Sequence, residues 1–87
     1  MQLVNTMEVI VNEHFEAVAR RFPNTCRCPH CRLDVLALAL NSLPPRYVVS
    51  DAGEVYSRAE VLRQQYAADV TIALVQGFNK VSENPRH

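Results

Sequence analysis

The stretch that determines the fold reads CRCPHCRLDVLALALNSLPPRYV and spans residues 26–48. It opens with three cysteines in six positions and continues into an apolar run, which two consecutive prolines terminate before the final Arg-Tyr-Val. Pro29 suits the first turn of a helix, where a missing N–H removes no hydrogen bond. Pro44 and Pro45 cannot continue a helix, and they force extended backbone before them. The stretch therefore predicts a polar Cys knuckle over residues 23–30, a helix over 31–43 and a strand from Arg46.

The centre of this helix, VLALAL at residues 35–40, is apolar on every side. A helix without a polar face must be covered all round. A chain of 87 residues buries only about 60–65% of its unfolded surface, which leaves little spare core. Asp34 and Asn41, which lie on the same side of the helix, flank the apolar centre. We therefore expect a second subunit to supply part of the cover, which predicts a homodimer.

The rest of the chain is predicted by working outward from this helix. Apolar residues recur at helical spacing from Leu3 to Phe22, so the first helix is expected over 1–22, with Pro23 ending it. Beyond the prolines, residues 46–49 and 54–56 read as two strands around a turn, predicting a hairpin over 46–56. Ser57 and Glu60 have the spacing of a capping box and predict a last helix over 57–81, with a frayed tail over 82–87. The predicted fold is a single mainly α domain with a short β-hairpin (α+β): three helices, the Cys knuckle between the first two and the hairpin before the last.

The charge balance excludes several classes of function. Nine basic and nine acidic side chains cancel, which argues against binding of long nucleic acid or of an anionic membrane. No uncharged run approaches the ~18 residues of a membrane span, and no basic-then-apolar leader opens the sequence, so a cytoplasmic protein is expected. No nucleophilic triad, Gly-rich phosphate loop or hydrolytic carboxylate pair is evident, and a catalytic zinc site would need a base and a cleft that the sequence does not indicate. The sequence therefore predicts a protein that is not an enzyme.

The net charge of zero conceals an uneven distribution of charge. Residues 1–19 carry three acidic side chains and no basic one, whereas residues 20–32 carry four arginines and no acid. A small anion therefore remains a plausible ligand even though long nucleic acid does not.

The cysteine cluster predicts a zinc site. Cys26, Cys28 and Cys31 are three soft ligands in a short turn that leads into a helix, and the helix dipole favours their thiolates. Structural zinc takes four ligands, so the fourth must come from elsewhere. The candidates are His30, His14, Asp34 or a water molecule. The alternatives are three free thiols, or redox chemistry, for which a lone Cys-x-x-Cys is weak support.

The basic side chains suggest a second site. Eight of the nine are arginines, and arginine holds phosphate or carboxylate through two parallel hydrogen bonds and stacks on rings. Residues beside the rigid prolines and across the predicted hairpin can form a site for a phosphate and a ring. The simpler alternative is a set of surface salt bridges with Glu54, Glu60 and Asp69. The candidate ligand-binding residues are Arg46, Tyr47, Tyr56, Arg58 and Arg63.

These motifs together resemble one family. The pattern CxCxxCRxDVxALALNxLPPRYV over residues 26–48, with LVN at 3–5 and GEVY at 53–56, is similar to the signature of the late competence development protein ComFB family. The resemblance covers nearly the whole chain.

The resemblance implies a small, mainly helical, dimeric bacterial protein of the cytoplasm that carries zinc on Cys26, Cys28 and Cys31. It also implies a non-enzymatic regulatory role, as a receptor for a cyclic dinucleotide such as cyclic di-GMP or cyclic di-AMP. Arg46 and Tyr47 are the first candidates to bind that nucleotide. The alternative that the residues leave open is a zinc-stapled module linked to DNA-uptake competence, which binds a protein partner and no nucleotide.

Overall fold

The three-dimensional structure is a computed structural model that describes residues 1–51, 54, 57 and 59–84. Within these residues, five elements follow one another: β1 (Gln2–Asn5), α1 (Thr6–Ala19), α2 (Pro29–Asn41), β2 (Tyr47–Ser50) and α3 (Glu60–Glu83). The predicted class, three helices with a two-stranded antiparallel sheet, is confirmed. None of the helices in the described ranges combines the length and the apolar content that a membrane crossing requires.

The strand at the N-terminus corrects the prediction of a helix over 1–22. Gln2 pairs with Ser50 and Asn5 with Tyr47 in an antiparallel register, so β1 supplies the partner strand that the sequence placed at 54–56. Of that predicted return strand, the structure describes only Glu54, which is helical. The spacing of Leu3 and the later apolar residues fits a helix. Pairing with β2, however, gives the backbone N–H and C=O groups of residues 2–5 their hydrogen-bond partners, and this overrides the local preference for a helix. Helix α1 then begins at Thr6 and ends at Ala19, before the predicted end at Phe22.

Helix α2 lies two residues earlier than predicted, because Pro29 is its first residue. Cys28 is the N-cap in extended conformation, and Ser42 caps the other end, where its backbone N–H donates to Ala39 and Leu40. The N–H that Pro29 lacks would have had no partner inside the helix, which explains its position.

Helix α3 begins at Glu60, not at Ser57, and it extends to Glu83, beyond the predicted end at residue 81. The predicted capping box is wrong: Ala59 is the N-cap, and none of the described side chains caps the helix. Gly77 does not interrupt α3. Instead it is buried where α3 passes close to α2, since a Cβ atom built there would lie 3.0 Å from the carbonyl oxygen of Val35.

The core lies between the three helices. Phe78 of α3 is at its centre: its ring is 5.2 Å from that of Phe15 and stacks at 5.1 Å on that of Phe22, centroid to centroid. The fully buried side chains come from all three helices and include Met7, Ile10, Val11, Cys31, Val35, Val70 and Leu74.

Candidate metal centre and arginine site

The Cys knuckle connects α1 to α2 at one end of the core. Its three sulfur atoms converge: the Sγ atoms of Cys26, Cys28 and Cys31 all lie within 4.8 Å of one another. The three thiols differ in burial, since Cys26 is exposed, Cys28 is half-buried and Cys31 is buried, and none forms a disulfide. Among the described residues, no other group of three or more cysteine, histidine or carboxylate side chains is arranged to hold a metal ion.

The first turn of α2 sets the positions and the acidities of two of these thiols. The backbone N–H of Cys31 donates to the Sγ atom of Cys28 at 3.4 Å. This hydrogen bond is the main reason that the pKa of Cys28 falls from 9.0 to about 7. Burial has the opposite effect on the neighbouring thiol and, with the adjacent sulfurs, raises the pKa of Cys31 to about 12.

Side chains around the Cys knuckle attach it to all three helices. Arg27 donates to the carbonyl oxygen of Ala19 at the end of α1 at 2.8 Å. The hydroxyl groups of Thr25 and Ser82, 2.5 Å apart, form a hydrogen bond between the knuckle and the last turn of α3. The cysteine cluster therefore lies where the ends of α1 and α3 meet the start of α2.

The three sulfurs fit a zinc ion. Zinc–sulfur bonds of about 2.3 Å in a tetrahedron place the sulfur atoms roughly 3.8 Å apart, so a small contraction of the observed cluster suffices. Thiolates are the ligands that a soft or borderline metal prefers. The three thiolates therefore match the zinc ion that the sequence predicts.

The three side chains considered for the fourth position do not join the sulfur cluster. The ring Nδ1 of His14 lies 2.9 Å from the carbonyl oxygen of Ile10, one turn earlier on α1. His30 and Asp34 face each other across one turn of α2, with 3.6 Å between Nδ1 and Oδ2. The structure thus brings the three cysteine sulfurs together, and none of the three candidate side chains lies in that group.

Of the five predicted ligand-binding residues, the structure describes Arg46, Tyr47 and Arg63. Arg46 and Tyr47 are adjacent and exposed at the start of β2, whereas Tyr56 and Arg58 lie outside the described residues. Arg63 is occupied by two carboxylates: it holds Glu13 through two N–H groups at 2.9 Å and Glu60 through a third at 3.0 Å. Its place in a salt-bridge network agrees with the simpler alternative for that residue.

Arg46 has a partner that the sequence did not indicate. Its Nη2 donates to the hydroxyl oxygen of Tyr66 on α3 at 2.6 Å, and its guanidinium carbon lies 5.5 Å from the centroid of that ring. Tyr66 lies twenty residues after Arg46 in the sequence, and only the packing of α3 brings the two side chains together. The result is an exposed guanidinium that is held by one aromatic ring.

Comparison with known proteins gives concordant results. The family model described as late competence development protein ComFB matches residues 4–85. The chain is 32% identical over 83 residues to the competence protein ComFB of Bacillus subtilis strain 168, covering 95% of this chain and 85% of that protein. A solved structure of the late competence protein ComFB from Bacillus subtilis superposes with a TM-score of 0.79 at 33% identity, covering 97% of this chain and 94% of the other.

Proposed function

The chain belongs to the late competence development protein ComFB family, and from this premise we propose that it is a dimeric, zinc-binding regulatory protein. The observation that carries the proposal is the convergence of three Sγ atoms within 4.8 Å. The family and the relative from Bacillus subtilis are described as competence proteins. We therefore propose a regulator that acts by binding and not by catalysis.

Cys26, Cys28 and Cys31 would hold the zinc as thiolates. A zinc ion bound there supplies a cross-link between the knuckle and the first turn of α2. The burial that raises the pKa of Cys31 opposes its ionisation in the metal-free protein, and a neighbouring cation reverses that preference. Reduced thiols of this kind persist in a reducing compartment, which supports a cytoplasmic location.

The ligand of the regulator is proposed to be a cyclic dinucleotide. Arg46 supports this because its guanidinium is exposed and carries donors in a planar fork that matches phosphate. Tyr66 fixes that guanidinium through the 2.6 Å hydrogen bond, and Tyr47, the following residue in the chain, has an exposed ring on which a base can stack. A cyclic dinucleotide has two phosphates related by twofold symmetry, and a symmetric dimer can present Arg46 of each subunit to one of them.

Calorimetric titration with cyclic di-GMP and with cyclic di-AMP tests this ligand. We expect saturable heat with at least one of them and its loss in the Arg46→Ala variant. Arg20→Ala is the matched control, since it removes an exposed arginine from the end of α1 and should leave binding unchanged. An absence of heat with both nucleotides across micromolar concentrations would contradict the proposal.

The second candidate is a zinc-stapled module that binds a protein partner and no nucleotide. The observation that favours it is the exposed apolar surface of α2, where Leu33 retains 64% of its accessible surface. This function predicts that Arg46→Ala leaves partner binding intact while Cys28→Ser unfolds the domain. The two candidates thus differ in the effect of the arginine variant.

A further inference from the structure

The side of α2 that faces away from the core carries large apolar side chains in the open. The helix buries Cys31, Val35, Leu36 and Ala39 against its neighbours. Leu33, Ala37 and Leu38 form its outer face; Leu33 and Leu38 remain 64% and 36% exposed, and Ala37 is exposed as well. α1 and α3 therefore cover only one side of this apolar helix.

A groove runs along this outer face, between α2 and the last turns of α3. Its volume is about 410 Å³. The apolar part of its lining consists of Ala37, Leu38 and Val81, and the polar part of Asp34, Asn41, Lys80, Glu83 and Asn84. The two polar residues that interrupt α2 in the sequence thus line the groove instead of the core.

The charges along the groove are of both signs: Lys80 is basic, and Asp34 and Glu83 are acidic. Lys80 and Glu83 lie less than one turn apart on α3, and neither forms an ion pair within the described part of the chain. A surface that carries both charges next to an apolar patch is complementary to a twofold-related copy of itself, because the lysine of each copy can meet the glutamate of the other. A partner surface of uniform charge could form an ion pair with Lys80 or with Glu83, but not with both.

We propose that this groove is the surface through which two copies of the chain associate, with the outer faces of α2 in contact and Lys80 facing Glu83 of the other copy. This inference rests on the proposed dimer and specifies where it forms. The rival surface is the sheet, where Leu3, Tyr47 and Val49 share one face and are also exposed. The charges beside that face, the Met1 ammonium and the Asp51 carboxylate, already pair with each other at 3.1 Å, whereas Lys80 and Glu83 form no ion pair among the described residues.

Two matched variants distinguish these surfaces. Ala37→Arg places a long charged side chain in the middle of the groove at an exposed helical position, and Val49→Arg does the same on the sheet. Sedimentation velocity on each protein, with far-UV circular dichroism to verify folding, measures the mass of the species in solution. We expect the unmodified chain and Val49→Arg to sediment as twice the 9.8 kDa chain mass, and Ala37→Arg as a single chain.

A mixing experiment tests the charge pairing without introducing bulk. In Lys80→Glu all three charged groove residues are negative, and in Glu83→Lys the two on α3 are both positive, so each variant alone should dimerise at least about tenfold more weakly than the unmodified chain. An equimolar mixture, with one variant isotopically labelled, should yield heterodimers in native mass spectrometry. Because each variant contains like charges on its own α3, only a contact between two copies can restore attraction.

The possible results separate the inference from the proposed function. A dimer that persists in Ala37→Arg but dissociates in Val49→Arg would overturn the groove assignment and move the interface to the sheet. Persistence in both, or a mixture that gives no heterodimers, would also overturn it while leaving the proposed dimer intact. An unmodified chain that stays monomeric at all concentrations would contradict the proposed dimer itself, and the groove assignment with it.

Discussion

Asn5 joins three elements through one side-chain oxygen. Its Oδ1 accepts the backbone N–H of Met7 at 3.2 Å, which caps α1, and the backbone N–H of Arg46 at 2.8 Å, which leads into β2. The carbonyl oxygen of Arg46 accepts in turn from the backbone N–H of Thr6 at 2.6 Å. A single amide thus fixes the register of the sheet relative to the first helix, and it lies beside the residue proposed to bind phosphate.

Asn5→Ala should therefore destabilise the protein by about 1–2 kcal/mol, since it removes a helix cap and leaves a second N–H without its acceptor. Asn5→Asp keeps the acceptor oxygen and should change the free energy of unfolding by less than about 0.5 kcal/mol. Urea unfolding measures both. Asn12→Ala is the control, because Asn12 is exposed and its side chain only donates to the carbonyl oxygen of Glu8. Equal losses from Asn5→Ala and Asn12→Ala would disprove the role of the cap.

Cys28 and Cys31 should differ in their reactivity toward alkylating reagents in the metal-free protein. The hydrogen bond from the Cys31 N–H lowers the pKa of Cys28 to about 7, so its reactive thiolate persists at pH values well below the ordinary 9.0. The rate of alkylation by iodoacetamide should rise with pH through a midpoint near 7 at Cys28. Cys31 should stay unmodified over the same range, because it is buried and its pKa is raised to about 12. Peptide mapping by mass spectrometry follows both sites, and a midpoint near 9 at Cys28 would contradict the geometry.

At the scale of the elements, the close approach of α2 and α3 depends on a glycine. A Cβ atom at Gly77 would lie 3.0 Å from the backbone oxygen of Val35 and 3.4 Å from its Cγ1. The oxygen belongs to the backbone of α2 and cannot rotate away as a side chain would. The two helices therefore pack at a distance that other residues at this position would increase.

Gly77→Ala tests this contact because two effects of opposite sign compete. Alanine gains about 1 kcal/mol of helix propensity, whereas overpacking costs about 1–3 kcal/mol. We expect a net loss of roughly 1 kcal/mol in the free energy of unfolding. Asn79→Ala, at an exposed position two residues later, gains propensity without the contact and should be neutral or slightly stabilising. A stabilising effect of both substitutions would refute the close packing.

The elements also show what the sequence can and cannot predict. The positions of α2 and of the extended segment after it follow from Pro29 and the Pro44–Pro45 pair, because proline acts locally. The pairing of β1 with β2 joins residues 2–5 to residues 47–50, which are far apart in the sequence. The position of Leu3 in the apolar pattern is compatible with a helix as well as with a strand. The cysteine cluster was predictable because its members are close in sequence. The contact of Arg46 with Tyr66 was not, because it depends on how α3 packs.

At the scale of the whole molecule, the Cys knuckle lies at the junction of the three helices. Arg27 reaches α1, Thr25 reaches the end of α3, and Cys28 caps α2. A metal ion bound there would stabilise the junction of the three helices, to which a small core contributes little stability. The groove proposed for the second copy is formed by α2 and the same end of α3, so loss of the metal is expected to weaken dimerisation as well as folding.

Native mass spectrometry of protein purified without chelator tests the central claim most directly. We expect the mass of the chain plus one zinc ion per copy, and loss of that zinc when Cys28→Ser removes one of the converging sulfurs. The added mass should also disappear on treatment with a strong chelator and return when zinc is restored. A chain that keeps its unmodified mass after incubation with zinc would contradict the account.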